Sequence, residues 1–325
     1  MLAKKQSQIK KSCRAQVESH FSWIFVLVAG AVILAFFFSV VQKQRELSDQ
    51  KLSISLVSDF EAIISSAAVA KGTTQSLPIY NQEIDFSCGT ICDCKMSVGG
   101  FSKPFRDKII FAPQQISGRN MILWTLEWKS PPLAPFRIAN FVYASDDSTH
   151  YWFVKAETDH SIDNILSILP KTLSYENATI APTQSDFKKN RVVFVGGNSP
   201  DTLTSWQNVK QLNGVSALWI ADSSTLKFWW GEGLNKKLTT ATYENSQEKL
   251  LAAIFSEEGE LYRCQAKEAD ARKTTITSIY TARAAALIGK ASAEGCDALY
   301  RAVGSETTFE EINQNLLQLS CPTIY

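Results

Sequence analysis

Residues 21–41, FSWIFVLVAGAVILAFFFSVV, carry no formal charge, and Ser22 and Ser39 are their only polar side chains. At a rise of ~1.5 Å per residue, a helix of this length is about 32 Å long and matches the ~30 Å hydrocarbon core of a bilayer. Lipid offers no partners to backbone polar groups, and a helix satisfies them within one segment. The stretch therefore predicts a transmembrane helix, and a buried helix of a soluble core is the alternative.

The charges on either side of residues 21–41 indicate how the chain crosses the membrane. The basic residues Lys4, Lys5, Lys10, Lys11 and Arg14 lie before the stretch with Glu18, and Lys43, Arg45 and Lys51 follow it. By the positive-inside rule, residues 1–20 form a basic cytoplasmic N-terminus and the C-terminal bulk is extracytoplasmic. We therefore predict a single-pass protein of the cell membrane.

The same charge distribution limits the partners of this protein. The whole chain has a formal net charge of +1, and its basic excess is confined to the first twenty residues. A nucleic-acid-binding domain needs a basic surface on its folded part, so no nucleic-acid partner is expected. The expected partner is the lipid bilayer, and a protein partner or self-association stays open.

Six of the seven cysteines follow the apolar stretch: Cys88, Cys92, Cys94, Cys264, Cys296 and Cys321. An even number of cysteines in an oxidising compartment favours disulfides, but the sequence does not choose their connectivity. The spacing of Cys88, Cys92 and Cys94 also suggests a metal site, although structural zinc sites usually add a second cysteine pair or histidines. We predict disulfides, with no metal and no cofactor.

A short motif lies directly before the apolar stretch, where Arg14 and Ala15 are followed by Gln16. Residues 1–45 resemble archaeal type IV pilin-like precursors, whose class III signal peptides are short and basic. Those peptides are cut after a basic residue plus Gly or Ala, just ahead of the hydrophobic helix, often with Gln next. The resemblance implies cleavage between Ala15 and Gln16 and assembly as a filament subunit. A retained, uncleaved anchor is the alternative.

The helix is predicted to continue beyond the membrane as an amphipathic stalk over residues 42–72. Its first part is polar, and apolar residues then recur along one helical face at Leu52, Leu56, Phe60, Ile63, Ile64 and Ala67. That spacing follows the 3.6-residue period of a helix with one buried side. Lys71 and Gly72 supply a basic last turn and a left-handed cap.

Residues 73–160 predict an antiparallel β-rich part of the ectodomain. Runs rich in β-branched and aromatic residues, separated by turn signals, predict strands at 109–111, 121–128, 138–144 and 151–156. Such a sheet is expected to pack on the apolar face of the stalk. In the second run Trp124 and Trp128 share one face, where they form either core or a platform for a ligand.

Residues 161–325 predict a small αβ unit followed by a helical region, which completes an α+β fold. The αβ unit is expected to contain helices at 163–169 and 202–212 and strands at 191–195, 215–221 and 226–230. Gly196 and Gly197 follow the first of these strands, but no complete nucleotide-binding fingerprint is present. A tight turn with Ser199 or Asp201 capping the next helix is expected instead. Three helices are predicted after residue 244.

Candidate catalytic residues are few in this sequence. His150 and His160 lie in polar, turn-like stretches, and the adjacent pairs Asp146-Asp147 and Glu257-Glu258 are typical of a solvated surface. No G-x-S-x-G elbow, H-E-x-x-H motif or kinase signature is present, so we assign no catalytic residue. The favoured function is a structural or partner-binding role at the cell surface, with a pilin-like filament subunit as a special case. A membrane-tethered enzyme of hydrolase type is the rival hypothesis.

Overall fold

The computed structural model describes residues 12–70, 72–79, 82–105, 107–130, 134–197, 200, 206–222, 224–290, 295–303 and 308–325. The chain divides into two compact units, Met1–Ser55 and Leu56–Tyr325. The described residues of the first unit are helical, and the second unit contains all the strands of the described part.

Helix α1 (Ser12–Val69) is continuous over 58 residues. Its segment Trp23–Arg45 has a mean hydropathy of 2.9 and no buried side chains, and among the described residues it is the one helix long and apolar enough to cross a membrane. Arg14, Ala15 and Gln16 lie on the helical backbone of α1. The apolar helix of the predicted α+β fold is therefore present.

The second unit contains fourteen strands among its described residues. They are β1 (Thr74–Pro78), β2 (Ile84–Cys88), β3 (Cys94–Val98), β4 (Phe101–Pro104), β5 (Ile109–Phe111), β6 (Gln115–Ile116), β7 (Asn120–Ser130), β8 (Ala134–Asp146), β9 (Thr149–Val154), β10 (Ser174–Ala178), β11 (Lys189–Val195), β12 (Val215–Asp222), β13 (Thr225–Trp230) and β14 (Lys236–Ala241). The helices that follow α1 are α2 (Asp163–Ile168), α3 (Trp206–Val209), α4 (Gln247–Phe255), α5 (Gly259–Leu287), α6 (Cys296–Arg301) and α7 (Phe309–Gln318), with a short 3-10 helix at Glu232–Leu234.

These strands form three sheets. The first has the order β1-β7-β8-β5, and the second has the order β4-β3-β2-β6. Both are antiparallel except for the parallel pair of β5 and β8. The third sheet has the order β10-β9-β11-β12-β13-β14; its first four strands are parallel, β13 is antiparallel to β12, and β14 is antiparallel to β13.

The predicted α+β fold is confirmed, with three corrections of detail. Strand β9 belongs to the parallel sheet, so that sheet crosses the predicted boundary at residue 160. The helix predicted over 202–212 is shorter in the described residues, where it is represented by α3. Residues 201–205 and Ser199 lie outside the described part, and with them both predicted capping residues, Ser199 and Asp201. The sequence pattern also missed α6. Short elements such as these carry too few turns for a periodicity to be recognised.

The end of α1 that belongs to the second unit buries the predicted apolar face. Phe60 and Ile64 pack in one cluster with Phe86, Met96 and Ile110 from the first two sheets. The side-chain amide of Asn140 on β8 donates a 2.6 Å hydrogen bond to the carbonyl of Ala70. This bond satisfies one of the carbonyls that a helix leaves free at its C-terminus, so the sheet both covers and caps the helix.

The parallel sheet is buried on both faces. Tyr151, Val193 and Phe228 face the larger core, which α4, α5 and the first sheet complete. Val192 and Trp219 face the other side, where they contact Trp206 and its neighbours on α3. Burial on both faces explains why the run at 192–195 is apolar without alternation.

Three disulfides tie the second unit together. They join Cys88 to Cys94, Cys92 to Cys264, and Cys296 to Cys321. The first closes the hairpin of β2 and β3, where the two cysteines are directly opposite each other. The second links that hairpin loop to α5 across 172 residues of sequence. All six candidate cysteines are therefore paired.

Candidate functional site

A polar pocket of about 190 Å³ lies at the amino ends of the parallel strands β9, β11 and β12. Three parts of the second unit form its walls. The strands contribute Thr149, Tyr151, Lys189, Asn190, Arg191 and Ser216, with Gly214 just before β12. The loop between β5 and β6 contributes residues 113–115, and the end of α4 and the following loop contribute Ile254, Phe255 and Glu257.

Arg191 is the most buried charge in the pocket, with 3% of its surface exposed. Its Nε donates to the carbonyl of Ile254 at 3.1 Å, and its Nη2 donates to those of Ala253 at 2.9 Å and Ser256 at 2.5 Å. The guanidinium therefore caps the C-terminus of α4, where carbonyls lack partners and the helix dipole favours a cation. Burial lowers the pKa of Arg191 to about 10, which leaves it charged at neutral pH.

The remaining nitrogen of that guanidinium, Nη1, is buried and has no hydrogen-bond partner among the described residues. A buried N–H group without a partner costs about 1–3 kcal/mol. Most such groups in native proteins are satisfied, so an exception on a pocket wall needs an explanation. Arg191 is thus held by two nitrogens, lines the pocket, and keeps its third nitrogen without a partner among the described residues.

Glu257 provides the negative charge of the pocket. Its Oε2 accepts a hydrogen bond of 3.0 Å from the backbone N–H of Gln114. Burial raises the pKa of Glu257 above its usual value, although Arg191 and Lys189 oppose that shift. A carboxyl group with a raised pKa destabilises the fold once it ionises, because the unfolded chain ionises more easily.

Lys189 and Asp146 form a pair at the mouth of the pocket. Nζ of Lys189 lies 3.4 Å from Oδ2 of Asp146 and also donates to the carbonyl of Gln115. Asp146 accepts further hydrogen bonds from the backbone N–H of Ser117 at 2.9 Å and from the hydroxyl of Thr149 at 2.7 Å. The Asp146 carboxylate is therefore held by several donors, and Lys189 contacts both Asp146 and the carbonyl of Gln115.

The pKa of Asp146 leads to a prediction about acid stability. Burial alone would raise this pKa, but Lys189 and the hydrogen bonds from Ser117, Thr149 and Ser148 outweigh burial, so the pKa is lowered. The resulting stability is present above the unfolded value of about 3.9 and is lost as the pH falls through the folded pKa. We expect Asp146→Asn to lower the free energy of unfolding by about 2–3 kcal/mol at pH 7 and by much less at acid pH.

Urea titration of both proteins between neutral and acid pH measures this difference. Asp147→Asn is the matched control, because Asp147 is exposed and adjacent. Equal losses for the two variants at pH 7, or a loss for Asp146→Asn that does not shrink at acid pH, would contradict the assignment.

Gly214 completes the wall of the pocket beside β12. Its φ is +48°, and a Cβ placed on it would lie 2.6 Å from the carbonyl oxygen of Lys188. Both observations require glycine at this position. The close approach of the two backbones keeps the amino ends of β11 and β12 aligned under the pocket.

The carboxyl edge of the same sheet brings together a second group of predicted residues. Nδ1 of His160 lies 2.6 Å from Oδ2 of Asp163, and Nζ of Lys155 lies 2.8 Å from Oδ1 of that carboxylate. The turn at Gly196 is close by, since a Cβ there would lie 3.0 Å from Oδ2 of Asp159. His160 is 74% exposed, which agrees with the solvated loop expected from the sequence.

The prediction for His150 was wrong, because it lies buried in β9 rather than in a polar turn. Its Nδ1 is 2.7 Å from the hydroxyl of Ser174, and its ring stacks on Phe187 with centroids 4.3 Å apart. Burial lowers its pKa, so the neutral form is favoured. The two tryptophans Trp124 and Trp128 are core, being 5% and 0% exposed, and the ligand-platform alternative is wrong.

The adjacent acidic pairs are also placed differently from the prediction. Asp146 and Glu258 are buried, and Glu257 lines the pocket. The sequence interpretation of these pairs as a solvated surface therefore holds only for Asp147. The sequence signal closest to this pocket is a charged residue directly before an apolar run, as in Arg191 before Val192.

The cysteine cluster is the group that could hold a metal ion in a reduced chain. The sulfur atoms of Cys88, Cys94 and Cys264 lie within 4.8 Å of one another, and Cys92 is bonded to Cys264. Helix α5 thus supplies the fourth sulfur that the sequence spacing lacked. Thiolates, not disulfide sulfurs, are the ligands of zinc, so the oxidised cluster is a structural cross-link.

Comparison of the chain with protein-family models, with curated proteins and with solved structures gives no match.

Proposed function

We propose that this protein is a single-pass membrane protein whose C-terminal unit lies outside the cytoplasm and has a structural or partner-binding role at the cell surface. The observation that carries the proposal is the apolar stretch 23–41 of α1, in which no residue is buried. An uninterrupted apolar surface of this length is unfavourable in water and favourable in a bilayer. The basic residues before the segment support a cytoplasmic N-terminus.

The cysteines support export of the second unit. Six of the seven cysteines lie after the segment and are joined in three disulfides. Such bonds persist in oxidising compartments and are rare in the cytoplasm. An intact-mass measurement of the native protein, which loses two hydrogens for each bridge, tests this part of the proposal. A mass equal to that of six free thiols would contradict it.

A charged variant of the segment tests the anchor. We expect Leu27→Arg/Leu34→Arg to move a large fraction of the protein from the membrane pellet to the supernatant, because each arginine near the helix centre opposes insertion by about 2.5–3.5 kcal/mol. Leu47→Arg is the matched control, since Leu47 is exposed on the same helix but outside the segment. Ultracentrifugation after alkaline extraction is the measurement. Equal retention of both variants would contradict a transmembrane anchor.

A pilin-like filament subunit is the second candidate. It is supported by the continuity of α1, which extends without a break from the apolar segment to the buried residues Phe60 and Ile64. Mass spectrometry of the N-terminus separates the two candidates. A chain that begins at Gln16 supports processing between Ala15 and Gln16, whereas retention of residues 1–15 supports the simple anchor. A membrane-tethered enzyme stays the rival, and its activity would be sought in the polar pocket.

A further inference from the structure

We propose that the polar pocket binds a small zwitterion of amino-acid type, with its carboxylate on Arg191 and its ammonium group on Glu257. This proposal does not depend on the membrane anchor. It rests on the size of the pocket, on one unsatisfied buried donor and on the charges that remain after the lining residues have made their own contacts.

The size of the pocket limits the ligand. Its volume of about 190 Å³ is several times the ~30 Å³ that one water molecule occupies in the liquid. Sites for drug-sized molecules usually measure ~300–1,000 Å³. The volume of the pocket therefore matches a molecule of amino-acid size.

Arg191 provides the binding group for a carboxylate. Two of its nitrogens are occupied by the carbonyls at the end of α4, and Nη1 is the one without a partner among the residues described. A guanidinium N–H binds a carboxylate through a charge-assisted hydrogen bond, roughly twice as strong as a neutral one. The contacts with α4 fix the guanidinium, so little conformational entropy is lost on binding.

Glu257 provides the binding group for an amino group. Its carboxylate has about four acceptor positions, and the structure gives it one donor, the backbone N–H of Gln114. An ammonium group carries three donors and the opposite charge. A bound cation would also keep Glu257 ionised, which offsets the unfavourable burial of its charge.

The charge balance favours a zwitterion over a simple anion. Lys189 is paired with Asp146, so the charges left for a ligand are one positive on Arg191 and one negative on Glu257. A carboxylate alone would leave Glu257 unpaired, and an amine alone would leave Arg191 unpaired. Ile254 and Phe255 add an apolar wall that a small side chain can contact.

Calorimetry on the full-length protein in detergent tests this proposal with glycine, L-alanine and L-valine as probes. We expect saturable binding of one molecule per chain to at least one probe, with acetate and ethylammonium binding at least tenfold more weakly. No saturable heat from any of the three amino acids up to about 10 mM would overturn the proposal. Binding of acetate as tight as that of the amino acids would also overturn it.

A variant that keeps the fold separates the pocket from other sites. Glu257→Gln should weaken amino-acid binding at least tenfold while raising the midpoint of thermal unfolding, because it removes a buried charge. Glu258→Gln is the matched control, since Glu258 is the adjacent buried carboxylate and does not line the pocket. Unchanged binding by Glu257→Gln, or equal weakening by both variants, would overturn the proposed site.

Discussion

Replacing both Cys92 and Cys264 by alanine is expected to lower the free energy of unfolding by about 5 kcal/mol. This disulfide joins residues 172 apart in sequence, and it is the longest of the three loops. In the chain-entropy account, a cross-link restricts the unfolded chain more strongly as the loop grows. The bond also fixes the hairpin of β2 and β3 to α5, so its loss should loosen that contact.

The other two disulfides are matched controls for this prediction. Loops of 25 and 6 residues should give smaller losses of about 3.5 kcal/mol for Cys296–Cys321 and about 2 kcal/mol for Cys88–Cys94. Urea unfolding followed by tryptophan fluorescence, with the full-length protein in detergent, measures all three. A loss for the Cys92–Cys264 variant no larger than that for the Cys88–Cys94 variant would contradict the expected order.

Replacing Arg191 by methionine is expected to lower the free energy of unfolding by about 3–5 kcal/mol. The substitution keeps much of the side-chain volume but removes three hydrogen bonds to the end of α4. The carbonyls of Ala253, Ile254 and Ser256 would then lose a charged donor inside the protein. Removal of one partner of a buried charged group usually has an effect of this size.

Arg272→Met is the control for that measurement. Nη2 of Arg272 donates a hydrogen bond of 3.1 Å to the carbonyl of Asp107 and lies 3.8 Å from Oε1 of Glu268, in a partly exposed ion pair. Its loss should change the free energy of unfolding by less than about 1 kcal/mol. Equal effects of the two substitutions, measured by urea unfolding, would show that Arg191 does not hold the end of α4.

The sequence predicts the long elements of this fold well because their patterns extend over many turns. The apolar segment of α1 and the face that carries Phe60 and Ile64 follow from the length and spacing of apolar residues alone. The first helix predicted after residue 244 is present as α4, and its apolar residues Leu250, Leu251, Ile254 and Phe255 are all buried.

The pocket could not be predicted in the same way, because it depends on contacts between distant segments. Arg191 meets the end of α4 across more than 60 residues of sequence, and Lys189 meets Gln115 across 74. Pair contacts of this kind leave no periodic pattern in either segment. A similar case is Lys249, which is 2% exposed and lies 2.7 Å from Asp270 on α5. Its neighbours in sequence give no sign of that partner.

Every proposal about a role at the cell surface requires that the second unit lies outside the cytoplasm. Labelling of intact cells with a membrane-impermeant, amine-reactive biotin reagent, followed by peptide mass spectrometry, tests it most directly. We expect label on exposed lysines of the second unit, such as Lys95 and Lys171, and none on Lys4 or Lys5 until the cells are permeabilised. Label on the N-terminal lysines of intact cells, with Lys95 and Lys171 unlabelled until permeabilisation, would contradict the proposed orientation.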